Sequence, residues 1–171
     1  MSIEAFSIRI AEVGDADRMA AVSLAARGVA GADPREAIAD AHRLVLVAEV
    51  NGEIVGWGKT HRYSATSGSA PAGHYLGGVN VLPEFRRRGI GSALTRARLS
   101  WIWDRARDAW FVTNARNTAS IELHSRLGFS EVVRAGEFHG TTFEGGVGIL
   151  YRATAPNRQK VSSPAGPGNT S

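Results

Sequence analysis

Apolar and polar residues alternate from Phe6 to Val13, FSIRIAEV, and predict a first strand. Gly14-Asp15-Ala16-Asp17 then gives a helix start with Asp15 as N-cap, and Met19, Val22, Leu24 and Ala26 carry the helix to Gly28, a residue suited to end it. A weaker helix is expected from Asp33-Pro34 to about His42. Leu44 to Glu49, LVLVAE, reads as a strand, Asn51-Gly52 as a two-residue hairpin turn, and Glu53 to Lys59 as the returning partner. Ser64 to Gly73, rich in Ser, Gly, Ala and Pro, predicts a loop. Tyr75 to Val81 predicts a fourth strand, interrupted at Gly77-Gly78, where a bulge or a close ligand approach is expected.

Gly91 to about Arg107 reads as a long helix. Leu94, Ala97, Trp101 and Arg105 share one face of it, and Leu99, Ile102 and Trp103 widen the apolar side. Ala109 to Thr113 predicts a buried strand, Asn117 to Leu127 a helix capped by Asn117 and ended by Gly128, and Phe129 to Ala135 and Val147 to Tyr151 two closing strands. The pattern implies one α/β domain over residues 1–152 with a mixed sheet. Pro, Gly, Ser and Asn dominate residues 153–171, which predicts a disordered tail.

Composition narrows the choice of chemistry. The 171 residues are 43% hydrophobic and 21% charged, an ordinary globular balance. Cysteine is absent, which removes disulfides, thiolate metal ligands and a cysteine nucleophile, and no metal site is expected. The net charge of +4 comes almost wholly from arginine, with Lys59 and Lys160 the only lysines. These charges are spread along the chain without a basic arm or an aromatic-basic stripe, so no nucleic-acid partner is expected. No apolar run is long enough for a bilayer, and Met1 to Ala5 has no secretory pattern. A cytoplasmic protein without a membrane partner is the expectation.

The chemistry concentrates in "LPEFRRRGIGSAL", Leu82 to Leu94, between a strand and a helix. A helix start presents unpaired N–H groups and the positive end of the helix dipole. Glycines let the backbone approach a ligand, and arginines add charge; together Arg86-Arg87-Arg88-Gly89-Ile90-Gly91 suit a pyrophosphate. A P-loop would need Gly-Lys-Ser/Thr, and a dinucleotide fingerprint would need a small residue at Leu94 and an acid after the next strand, which ends Thr113-Asn114. Neither is present.

Arg86-x-x-Gly89-x-Gly91, following Val79-Asn80-Val81-Leu82-Pro83, resembles the acetyl-CoA signature of the GNAT superfamily of N-acetyltransferases. Asn117-Thr118-Ala119-Ser120-Ile121-Glu122-Leu123-His124-Ser125-Arg126-Leu127-Gly128-Phe129 resembles that family's second signature, in the right order, so the likeness spans about residues 6 to 151. The resemblance implies a GNAT-like acyl-CoA N-acyltransferase fold, an α/β mixed sheet of about seven strands with flanking helices. Acetyl-CoA would be the acyl donor. Backbone groups of Val79 and Val81 would hold the pantetheine arm, and Arg86, Arg87, Arg88, Gly89, Ile90, Gly91 and Ser92 would surround the pyrophosphate. One or two of the arginines are free to meet the 3′-phosphate or solvent instead. Asn117 would contact the arm or serve as a plain N-cap, and both can hold.

His124 stands where many family members have a tyrosine that protonates the departing thiolate. The setting from Ser120 to His124, with Gly136, His139 and Gly140, resembles the branch that includes the phosphinothricin acetyltransferases. An imidazole of pKa about 6.5 could supply the proton; a ring packed against the donor is the alternative. The glutamate that this branch places on the fourth strand is replaced by Leu76, so His74, Glu137, His139, Glu144 or a water chain remain as the base.

The function implied is direct transfer of an acetyl group, in a ternary complex, to a primary amine of a small molecule such as an amino-acid-like compound, an aminoglycoside or another antibiotic. Acetylation of a protein lysine or N-terminus, and a non-catalytic acyl-CoA sensor, are the alternatives. A homodimer is compatible with the family and undecided by the sequence.

Overall fold

A computed structural model describes residues 5–157. Seven strands form one mixed sheet in the order β1 (Phe6–Ile10), β2 (Val45–Val50), β3 (Glu53–Tyr63), β4 (Gly73–Val81), β5 (Asp108–Asn114), β9 (Gly148–Thr154) and β6 (Ser130–Ala135). A separate hairpin pairs β7 (Glu137–Phe138) with β8 (Thr141–Thr142). All sheet pairings are antiparallel except that of β4 with β5. The helices are α1 (Ala16–Arg27), α2 (Pro34–Ala39), α3 (Ile90–Trp103) and α4 (Thr118–Arg126).

Local chemistry accounts for most element ends. Asn51 and Gly52, with φ of 50° and 80°, make the left-handed two-residue turn that suits the twist of a hairpin. Gly28 ends α1 at φ 76°, its N–H donating to the Leu24 carbonyl. Asn117 caps α4 by accepting from the Ser120 amide. Asp15 precedes α1 as expected, but its carboxylate is not a cap. It accepts from both terminal nitrogens of Arg9, at 2.7 and 3.0 Å, and from the Glu12 amide.

Several boundaries differ from expectation. β1 stops at Ile10, where a single 3-10 turn over Val13–Asp15 takes the chain into α1. β3 continues to Tyr63, because Thr60 to Tyr63 keep pairing with β4. β9 runs on to Thr154 opposite Asp108, so residues 153 and 154 belong to the sheet; of the rest of the expected tail, 158–171 lie outside the described residues.

The two faces are covered differently. Trp57 on β3 points toward α1, its indole N–H donating to the Met19 carbonyl and Ser23 hydroxyl. Gly56 and Gly58 face α3, where added Cβ atoms would meet Ile90 at 3.3 Å and Arg98 at 2.9 Å. α3 and α4 pack over Leu76, Phe111, Ile149 and Tyr151. The hairpin and the 64–72 loop cover Tyr75, Trp110 and Leu150 on the opposite face. Among the described residues no helix is long and apolar enough to cross a membrane.

Candidate active site

β4 and β5 are parallel neighbours only from His74 with Ala109 to Leu76 with Phe111. Beyond that point β4 follows β3 to Val81 and β5 follows β9 to Asn114, so the sheet opens between them. The divergence begins at a bulge. Gly58 pairs with Val79 and Thr60 with Leu76, leaving Gly77 and Gly78 opposite Lys59 alone. A Cβ on Gly77 would lie 2.9 Å from the Lys59 carbonyl oxygen, so only glycine lets β4 fold here. The bulge expected at this glycine pair is present.

The opening leads into a cavity of about 1050 Å³. Its walls include Ser23, Trp57 and Lys59 from the α1 face and Asn117, Ser120 and His124 from the α4 face, so it passes through the sheet. Val79, Val81, Arg86, Arg87, Gly89, Ile90, Gly91 and Ser92 line the same space. The structure thus gathers two sequence segments, 79–92 and 117–124, at one cleft.

Arg87 at φ 61° and Gly89 at φ 83° turn the chain into α3. A non-glycine residue held left-handed costs about 1 kcal/mol and points to a constrained site. Ala93 bonds the Gly89 carbonyl, and the amides before it belong to the first turn, which lacks intrahelical acceptors. The three arginines behave differently. Arg86 braces the turn, donating to the carbonyls of Val81 at 3.2 Å and Ala26 at 2.8 Å. Arg87 lines the cavity. Arg88 does not; its guanidinium lies 5.0 Å over the Phe85 ring.

His124 is buried on α4, stacked on Phe111 with ring centroids 3.5 Å apart. Its Nδ1 lies 2.8 Å from the Ser120 carbonyl, which can only accept, so Nδ1 carries the proton. Nε2 is buried without a hydrogen-bond partner. Burial lowers the imidazole pKa to about 4 against a smaller opposing effect of the Ser120 hydrogen bond. The ring is therefore neutral at neutral pH, and Nε2 is an acceptor. That places the imidazole below the 6.5 of a free side chain.

None of the side chains expected as a base lines the cleft. His74 lies edge-on to Trp101 of α3, and Leu76 is packed in the core beneath α3. His139 donates from Nε2 to the Pro71 carbonyl at 3.0 Å and stacks on Tyr63 at 3.7 Å. Glu137 accepts from the Gly140 amide within its own hairpin. Glu144 engages Asn114 through its main-chain carbonyl.

Three residues at the bulge escaped the sequence reading. Arg98 is wholly buried and donates to the carbonyls of Lys59 at 2.6 Å, Gly77 at 2.8 Å and Leu94 at 3.1 Å. Its place four residues after Leu94 and four before Ile102, on the apolar stripe, was the available signal. Burial pulls its pKa down to about 9, so it stays charged at neutral pH. Lys59 lies partly buried on the cavity wall. His61, whose Nε2 would sit 3.0 Å from a Cβ on Gly77, has its pKa lowered to about 4, first by burial and then by Lys59.

An α/β sheet parted between two parallel strands, with a helix start at the mouth of the gap, is the arrangement that the resemblance to the acyltransferases implied. The model of the acetyltransferase (GNAT) family matches residues 18–129. An aminoglycoside N(6′)-acetyltransferase type 1 of Salmonella typhimurium is 32% identical over 107 residues, covering 60% of this chain and 73% of that protein. The ribosomal-protein-S18-alanine N-acetyltransferase of Escherichia coli superposes with a TM-score of 0.72 at 20% identity, covering 93% of this chain and 99% of that one. A structure provisionally named as a phosphinothricin N-acetyltransferase gives 0.67 at 21% identity, covering 90% and 100%. That branch is one of many sharing the fold, so the likeness to it extends to the fold alone. The chain belongs to the GNAT acetyltransferase family.

GNAT enzymes take their acyl group from acetyl-CoA. The residues present fit a long ligand bearing a diphosphate. β4 has no neighbouring strand on its β5 side beyond Leu76, α3 starts at the mouth, and His124 Nε2 is a buried acceptor without a partner.

Proposed function

We propose that the protein transfers an acetyl group from acetyl-CoA to a primary amine of a small molecule, directly and in a ternary complex. The cleft through the sheet carries this reading, because it links the α3 start to the α1 face. Acetyl-CoA supplies the activated acyl group as a thioester. The amides of Gly89 to Ser92 and the side chain of Arg87 hold its diphosphate. The β4 backbone at Val79 and Val81 pairs with the pantetheine arm as an added strand would. Asn117 and Ser120 border the arm from α4. His124, neutral, orients the arm by accepting a hydrogen bond at Nε2 and is a positioning residue.

The chain has no cysteine to carry the acetyl group, which favours direct transfer: the amine nitrogen takes the acetyl group and the thiol departs. Holding both reactants in one cleft supplies much of the acceleration. Thiol release from acetyl-CoA with a panel of small primary amines tests the proposal. Turnover with small amines is expected. Activity confined to peptides would move the acceptor to proteins, and CoA binding without any turnover would make this a sensor.

A further inference from the structure

The donor assignment leaves the charge at the α1 end of the cleft unused. Lys59 lies there with Trp57, Ser23, Arg27, Gly31 and Ala32. Its Nζ lies over Trp57, 5.9 Å from the ring centroid. Trp57 is itself buried and fixed by its indole bonds to Met19 and Ser23, so it is a rigid wall. Among the described residues no carboxylate lies within ion-pair distance of the Lys59 ammonium.

The charged groups around Lys59 do not neutralise it. Arg27 and Arg43 act on it with the same sign; Glu36 opposes them from an exposed position on α2. Arg43 is paired with Asp40 at 2.9 Å. Among the described residues the only acidic side chain lining the cavity is Glu122, on α4 across the sheet. Burial, followed by Arg43, lowers the Lys59 pKa, so the ammonium is held at a cost in free energy. A ligand that brings the missing negative charge removes that cost.

We infer that Lys59 binds the anionic group of the acceptor, so that the cleft takes a primary amine bearing a carboxylate and disfavours polycationic amines. This rests on the reading of the cleft as an acetyltransfer site for small amines. The carboxylate accepts from Nζ in a partly desolvated pocket, where charge-assisted hydrogen bonds are strong. Aminoglycosides carry several amines and no carboxylate, so the selectivity differs from the one named for the Salmonella relative.

The test uses matched pairs of primary amines, each amino acid beside its carboxamide, with kanamycin as the polycation. Thiol release is followed at saturating acetyl-CoA for the wild type, Lys59→Met and Lys59→Arg. The wild type is expected to favour the acid of its best pair by about tenfold in kcat/KM. Lys59→Met loses that preference through KM, Lys59→Arg keeps part of it, and carboxamide turnover changes less than about threefold. Calorimetry of the best acid against the CoA complex gives a second reading: Lys59→Met weakens binding about tenfold. Equal use of carboxamides or kanamycin by the wild type, or an acid preference that survives Lys59→Met, overturns the assignment while leaving acetyl transfer intact. Intact CoA binding with no turnover of any amine removes the acetyltransfer reading and this assignment with it.

Discussion

The guanidinium of Arg98 lies against Gly58, where a Cβ would come within 2.9 Å of its Cζ. Arg98 cannot withdraw, because it is wholly buried and its donors hold the carbonyls of Lys59 and Gly77 on both sides of the bulge. Removing it leaves those carbonyls without their donor in the interior. Arg98→Met is expected to destabilise the protein by about 3 kcal/mol, and Gly58→Val by a similar amount through overpacking. Denaturant unfolding measures both. A loss under about 1 kcal/mol for Arg98→Met would show that the bulge holds itself.

Gly91 stands at the first turn of α3, and an added Cβ would lie 3.8 Å from Val79 Cγ1, an ordinary contact. Alanine therefore fits, whereas a larger side chain fills the space assigned to the diphosphate. Gly91→Leu is expected to weaken CoA binding by at least about tenfold, near 1.4 kcal/mol, with Gly91→Ala closer to wild type. Calorimetry with CoA decides it. Wild-type affinity in a folded Gly91→Leu variant would place the diphosphate elsewhere.

The residues proposed to meet the donor were legible because their chemistry is local. Gly89, Gly91 and the Asn117 cap act through the backbone of their own turn, and a short stretch of sequence suffices to show it. Arg98 was not legible. Its partners Lys59 and Gly77 lie 39 and 21 residues away in sequence, and without them a charge on an apolar stripe reads as solvent-facing. The β7–β8 hairpin was missed for a related reason. Its turn is His139-Gly140, at φ 48° and 78°, and histidine adopts a left-handed conformation less readily than the asparagine that announces the β2–β3 turn. Lys59 stood at the end of the expected strand, yet its lack of an acidic partner is a property of the assembled site.

His139 ties the hairpin to the 64–72 loop through Tyr63 and the Pro71 carbonyl. With Nε2 donating and the ring outside the cleft, it is placed to hold the loop and not to accept a proton from the acceptor. His139→Ala is expected to cost about 1–2 kcal/mol of stability, from the lost hydrogen bond and stacking. Amide exchange in the loop should rise while kcat on the best amine changes less than about threefold. A kcat fall of about a hundredfold with unchanged stability would make His139 the base instead.

The buried imidazoles set the acid limit of the protein. His124 and His61 both have pKa values lowered to about 4, chiefly by burial, whereas an unfolded histidine titrates near 6.5. Between those values the unfolded chain binds more protons than the folded one, so stability rises with pH across that window. The contribution is complete above about pH 6.5, falls as the pH drops toward 4, and is lost below it. For His124 alone the full drop amounts to roughly 3 kcal/mol. Unfolding free energies measured from pH 7.5 to 4 should decline, and His124→Phe, which keeps a ring on Phe111, should flatten the decline by about half. In the same variant kcat should fall without removing any inflection between about pH 6 and 7, since the wild-type ring is already neutral there. An inflection near pH 6.5 that His124→Phe abolishes would restore the imidazole as the proton donor.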